Sequence, residues 1–111
     1  MSLHLNIEIE STDRGLAMEM LGTNELSAGD TQISLGDGST VTWLGAQSTK
    51  SAGAPQVFWL AISTVGLNLV SNWFYDRLKG RSAKLRINRT EVEIEPDKIR
   101  VVIEQIEKGE Q

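Results

Sequence analysis

The stretch from Gln56 to Tyr75 constrains the fold more than any other, because its 20 residues include no charged side chain. Pro55 before the stretch is typical of the first turn of a helix, and Gly80 after it is typical of a helix end. The pattern therefore predicts one long apolar helix over residues 55–79, roughly 36 Å in length at 1.5 Å per residue.

Apolar side chains would lie around most of this helix, interrupted only by a narrow polar stripe. Covering one Leu, Phe or Val side chain contributes roughly 1.5–3 kcal/mol, so several left in water would forgo an amount comparable to the stability of a small domain. A single small sheet covers one side of a helix, so we expect a second cover. A second copy of the chain or a protein partner is the leading interpretation; a lipid bilayer and complete burial within one chain are the alternatives.

We expect the large apolar side chains of this helix to form the interface, since aromatic residues usually dominate interfaces between proteins. The predicted interface residues are Phe58, Trp59, Leu60, Leu67, Trp73 and Phe74. In the membrane interpretation the chain is an anchored adaptor, with residues 56–75 in the bilayer and tryptophans near both surfaces. Asn68 argues against that interpretation, because it would lie near the bilayer centre.

The other segments predict an α+β domain with a mainly antiparallel sheet. Residues 3–10 alternate apolar and polar side chains, as a strand with one buried face does. Residues 31–45 and 83–94 predict two hairpins, with turns at 37–38 and 89–90 respectively.

Two further helices and a connection complete the predicted domain. Residues 11–22 predict a short helix that Gly22 closes, and residues 95–109 predict an amphipathic helix. A strand is the alternative in both segments, through residues 16–20 and 101–103 respectively. The small and polar residues 46–54 predict a flexible connection before the long helix. At 111 residues, the chain is most simply one domain.

A run of cations follows the uncharged stretch. Its members are Arg77, Lys79, Arg81, Lys84, Arg86 and Arg89. Cations favour the C-terminal end of a helix and pair with carboxylates on a neighbouring strand, which is the simplest interpretation. The alternative is a salt-sensitive basic patch for an anionic lipid or another polyanion. A net charge of −4 argues against a nucleic-acid partner.

Catalytic residue types are scarce in this chain. His4 is the only histidine and there is no cysteine, so the chain has few of the residues that form the usual catalytic pairs of nucleophile and base. We therefore expect no enzyme activity, no cofactor and no metal site, and the sequence identifies no small-molecule substrate. A ligand or metal site built on strand carboxylates is the alternative; its candidates are Glu8, Glu10, Glu91, Glu93 and Asp76. The lack of cysteine fits a reducing compartment, and we expect a cytoplasmic protein, with membrane association as the alternative.

Residues 70–107 read VSNWFYDRLKGRSAKLRINRTEVEIEPDKIRVVIEQIE and follow a strand-led N-terminal part. This layout resembles small bacterial accessory proteins called effector-associated constant components, which are predicted in defence or conflict systems. Those proteins combine an N-terminal strand unit, a hydrophobic helix, a basic junction and a closing hairpin plus helix. The resemblance implies an interaction or assembly role in a bacterial system and transfers no catalytic residue.

Overall fold

The computed structural model describes residues 3–13, 15–36, 38–48, 54–64 and 67–109, with the backbone alone at residues 48 and 67–69. The elements are β1 (Leu3–Ser11), α1 (Leu16–Leu21), β2 (Gln32–Gly36), β3 (Ser39–Ser48), β4 (Gln56–Thr64), α2 (Leu67–Leu78), β5 (Ala83–Ile87), β6 (Thr90–Val92) and α3 (Pro96–Glu107). The described strands form one sheet in the order β2-β3-β4-β1-β5-β6, and all neighbours are antiparallel. The predicted α+β class with a mainly antiparallel sheet is confirmed.

The predicted long helix over residues 55–79 is wrong. Its first half is the strand β4, which pairs with β1 on one side and β3 on the other, and the helix α2 begins only at Leu67. The β-branched residues are concentrated in the first half, at Val57, Ile62 and Thr64, and favour a strand. Since β4 carries apolar side chains on both faces, the two-residue alternation that marks a strand is hidden in its sequence. Within the described residues, no helix is long and apolar enough to cross a bilayer.

The core lies between one face of the sheet and the helices. On β4, the inward side chains are Phe58, Leu60 and Ile62, each at most 1% exposed. Where its side chains are described, from Val70 onwards, the helix α2 adds a buried apolar stripe at a spacing of four residues, formed by Val70, Phe74 and Leu78. The buried side chains of the uncharged stretch that the structure describes are therefore covered within the chain. The expectation of a second cover depended on one long helix, and a partner stays a prediction. We call the other face of the sheet, which carries Trp59, the open face.

The N-terminal strand and both hairpins are confirmed, as β1, β2–β3 and β5–β6. The turn of the second hairpin lies one residue earlier than predicted, at Asn88 and Arg89, which have positive φ angles of 48° and 73°. The reason is a distant contact: Asn88 donates its backbone N–H to the Asn6 carbonyl and accepts the Asn6 N–H on its side-chain oxygen, each at 2.8 Å. Residue 37 of the first predicted turn lies outside the described residues.

Both shorter helices are also confirmed, although the first is shorter than predicted, since β1 continues to Ser11 and the helix begins at Leu16. The helix α1 ends at Gly22, which has a φ of 68°, and α3 begins at Pro96 and buries Ile99 and Ile103. The predicted flexible connection at residues 46–54 is partly strand, since β3 continues to Ser48. Residues 49–53 of that connection lie outside the described residues.

Candidate functional site

Three of the predicted interface residues lie in the core of the chain. Phe58 is 1% exposed, and Leu60 and Phe74 are fully buried. Because they offer no surface in this fold, their assignment to an interface with a partner is corrected. Leu67 begins α2, and its side chain lies outside the described part of the structure.

The two predicted tryptophans are partly buried and lie on different layers. Trp73 packs against the core from α2, with its ring centroid 5.1 Å from that of Phe74. Trp59 lies on the open face, and its indole Nε1–H donates to Glu8 Oε1 at 3.2 Å. Only Trp59 therefore combines partial exposure with a place on a face that the helices leave uncovered.

The predicted basic run is divided among several places. Its members lie at the end of α2 and in the following turn (Arg77, Lys79, Arg81), on β5 (Lys84, Arg86) and in the β5–β6 turn (Arg89). The Arg81 guanidinium lies 2.5 Å from Asp13 and 2.7 Å from Glu19. The hydrogen bonds that Arg81 donates to these carboxylates, first to Glu19 and then to Asp13, raise the pKa of Arg81. The ion pairs link α1 and its preceding loop to the turn after α2, so this arginine has a structural partner.

The half of the open face on β1 and β5 is polar and internally paired. Arg86 Nη1 lies 2.5 Å from Glu8 Oε2, and Arg86 Nη2 lies 3.7 Å from Glu91. Glu10 faces Lys84 across the same pair of strands. Glu8 thus has an arginine on one oxygen and the Trp59 indole on the other, so its negative charge is already compensated.

The half of the open face on β3 and β4 is more apolar and contains a bulge. The pairing of β3 with β4 shifts between Trp43 and Gly45, so that Gly45 lies opposite Trp59 and Leu44 is the extra residue. Leu44 is 45% exposed. A depression of about 400 Å³ lies here, and its lining residues are Asn6, Ile7, Glu8, Leu44, Trp59, Leu60 and Arg89. We call it the open-face depression.

The two edges of the sheet differ in charge and length. The edge strand β2 has five residues, QISLG, and none is charged. The opposite edge strand, β6, has three residues, and Glu91 lies in it and Glu93 just beyond. Short and charged edges resist pairing with other chains, whereas uncharged edges invite it. The strand β2 is therefore the edge that is suited to accept another strand.

The predicted carboxylates do not form a metal site in the described part of the chain. No group of three or more His, Asp or Glu side chains in a metal-binding arrangement is found there. Glu8 and Glu91 are engaged with Arg86, and Asp76 lies 3.9 Å from Lys79.

The bulge residue Leu44 and the edge strand β2 were not singled out from the sequence. The dipeptide Leu44-Gly45 carries a weak signal, because it breaks the alternation that Val41 and Trp43 establish, and a glycine at such a break is typical of a bulge. The edge position of β2 has no local signal, since strand order is decided by the whole chain. Comparison of the chain with protein-family models, with curated proteins and with solved structures finds no match.

Proposed function

We propose that the chain is a non-enzymatic assembly module that pairs with a second copy of itself through β2. The observation that carries the proposal is the contrast between the two edges of the sheet: the edge strand β2 is uncharged, whereas the opposite edge strand, β6, is shorter and acidic. Addition of a strand to an exposed edge is a common mode of protein recognition, because main-chain hydrogen bonds supply affinity.

The backbone of β2 offers groups for such pairing. The Trp43 N–H donates to the Thr31 carbonyl at 2.8 Å. In an antiparallel ladder this bond lies beside the pair formed by Gln32 and Thr42, so these two residues face each other without hydrogen bonds between their own backbones. The backbone N–H and C=O groups of Gln32, and by alternation those of Ser34, therefore point away from β3. Both residues are exposed.

A second copy fits this edge with two-fold symmetry. Antiparallel pairing about Ser34 places the two Ser34 backbones opposite each other, and it places Ile33 of one copy opposite Leu35 of the other. These two apolar side chains are only partly buried at the edge of the core, so the pairing would cover them further. No like charges meet within β2, because the strand has none.

The expected association is weak. Each new backbone hydrogen bond contributes about 0.5–1.5 kcal/mol net, and a five-residue strand adds few of them. Association also costs translational and rotational freedom. We therefore expect a dimer that forms in the high-micromolar range and exchanges rapidly.

The resemblance to effector-associated constant components supports the same class of function, because it implies assembly and no catalysis. A protein partner that donates its own strand would use the same groups of β2 and is an alternative outcome of the test. The membrane adaptor loses its basis, because residues 56–64 form a strand within the sheet. A ligand site built on the strand carboxylates has little support, because Glu8 is already paired.

The oligomeric state of the purified chain tests the proposal. Light scattering and sedimentation, from micromolar to near-millimolar concentration without detergent, should show a reversible monomer–dimer equilibrium. Ser34→Lys places two cations opposite each other at the proposed two-fold axis, and we expect it to shift the equilibrium to monomer.

Thr90→Lys is the matched control, since it adds the same charge at an exposed position of the other edge strand. We expect Thr90→Lys to dimerise as the parent does. Circular dichroism and thermal unfolding should confirm that both variants keep the fold. A parent chain that stays monomeric throughout, or an equal effect of the two lysines, would contradict self-assembly through β2.

A further inference from the structure

We infer that the open-face depression is a binding site for a monocarboxylate with an apolar body. The inference concerns a different surface from β2 and does not depend on self-assembly. It rests on three observations: an apolar wall at a bulge, a carboxylate whose charge is already compensated, and an arginine that lines the depression from an anchored turn.

The apolar wall is formed by Leu44 and Trp59. The bulge displaces Leu44 from the regular alternation and leaves it 45% exposed, which is unusual for a leucine in the middle of a sheet. Gly45, with a φ of 131°, lies opposite Trp59, and an added Cβ there would have no atom within 4 Å. The absence of a side chain at this position leaves open the space beside the indole.

The charge of the lining favours an anion. Glu8 is the acidic residue of the lining, and both of its oxygens are engaged, by the Trp59 indole at 3.2 Å and by Arg86 at 2.5 Å. Arg89 also lines the depression, and among the described residues no carboxylate lies within ion-pair distance of it. The unmatched charge at this site is therefore positive.

The backbone of Arg89 lies in a turn that is anchored to the centre of the sheet. Two hydrogen bonds of 2.8 Å join Asn88 to Asn6 of the central strand β1. The φ of Arg89 is 73°, at the second position of a two-residue hairpin turn where glycine is usual. The backbone of Arg89 is therefore fixed by the turn, and its side chain reaches the depression from that fixed point.

The dimensions suit a small ligand. A volume of about 400 Å³ lies in the lower part of the range of small-molecule sites, which is about 300–1,000 Å³. An aryl or branched alkyl group of the ligand would lie against Trp59 and Leu44. The ligand's carboxylate would accept hydrogen bonds from Arg89 and from the side-chain amide of Asn6. A guanidinium matches the two oxygens of a carboxylate better than any other side chain does.

Two sources carry this chemistry: a free acid, and the C-terminal residue of a peptide. The test therefore uses 4-phenylbutyrate, its neutral amide, and an N-acetylated tripeptide that ends in phenylalanine. Nuclear magnetic resonance of the ¹⁵N-labelled chain is the readout, because the Trp59 indole N–H and the Asn6 amide each give a separate signal.

We expect 4-phenylbutyrate to shift the signals of Trp59, Asn6 and Leu44 in a saturable way. The amide should bind about tenfold more weakly, since it lacks the charge-assisted hydrogen bond. If the tripeptide binds more tightly than the free acid and also shifts signals of Thr42 and Ala61, a peptide C-terminus is the better ligand.

Arg89→Asn removes the cation while asparagine still tolerates a positive φ, and we expect it to weaken binding of the acid about tenfold without changing that of the amide. Leu44→Ala should weaken the binding of 4-phenylbutyrate and that of its amide by the same factor. Arg77→Gln on α2 is the control and should change neither. Ser34→Lys should be monomeric and should bind 4-phenylbutyrate with the affinity of the parent. Equal binding of acid and amide, an unchanged affinity in Arg89→Asn, or shifts confined to other surfaces would overturn the inference.

Discussion

Phe58→Ala should lower the free energy of unfolding far more than Val57→Ala does. The reason is that neighbouring side chains of β4 lie on opposite faces of the sheet, so that Phe58 faces the core and Val57 does not. Phe58 is 1% exposed, and its ring centroid lies 5.6 Å from that of Trp43. Phe58→Ala should therefore remove about 3–5 kcal/mol from the free energy of unfolding. For 111 residues at about 2.1 cal/mol/K each, this corresponds to a fall in Tm of roughly 13–21 °C.

Val57 lies on the open face and is only partly buried. Val57→Ala should cost about 1 kcal/mol or less, or roughly 4 °C in Tm. Urea and thermal unfolding followed by far-ultraviolet circular dichroism measure both values. This signal reports the backbone, so it avoids the change in tryptophan fluorescence that loss of a ring beside Trp43 would cause.

A lysine at two adjacent positions extends the test. Ala61→Lys places the charge on the open face and should leave the chain folded, whereas Ile62→Lys buries it in the core and should unfold the chain. Similar costs at neighbouring positions, or tolerance that recurs every three to four residues, would refute the strand and restore a helix in this segment.

Two further predictions concern a helix end and a pair of acidic residues. Gly22→Ala should lower stability by about 1–2 kcal/mol, because Gly22 has a φ of 68°, which alanine adopts only with strain. The added Cβ meets no neighbour, so this backbone strain is the whole cost. Gly22→Asn should cost less, and thermal unfolding compares the two variants. A hydrogen bond that protonated Glu95 donates to the Glu93 side chain is the largest cause that raises the pKa of Glu95, so Glu93→Gln should lower that pKa in a titration followed by magnetic resonance. Because its pKa is raised in the folded chain, Glu95 stabilises the parent in acid, and this stabilisation is lost as the pH rises. The stability of Glu93→Gln should therefore be lowest relative to the parent in acid and should rise relative to the parent towards neutral pH.

Local patterns were sufficient for the elements that have one wet face. The first strand, the short helix that ends at Gly22, and the C-terminal helix each repeat their apolar residues at the period of their structure. Such elements can be recognised because burial on one side leaves a periodic record in the sequence. The same reasoning produced the α+β class and both hairpins.

The surfaces proposed for binding could be predicted only in part. Trp59 was among the residues singled out, but its partner Glu8 is 51 residues away in the chain, and the bulge that exposes Leu44 depends on the pairing of β3 with β4. The basic run looked like one cluster in the sequence, yet the fold distributes it over α2, β5 and a turn, and pairs Arg81 and Arg86 with carboxylates from other elements. Charges that are neighbours in sequence need not share a surface.

The sequence by itself indicated that much of residues 56–75 would be buried, because no charge interrupts them. Whether they formed one helix or a strand followed by a helix was decided only by the tertiary structure. A strand that lies between two others and is apolar on both faces has no period of its own, so the adjacent strands, β1 and β3, select its conformation by supplying its hydrogen bonds. The exposed edge of β2 has the same origin, since a strand is an edge only by virtue of where the remaining strands lie.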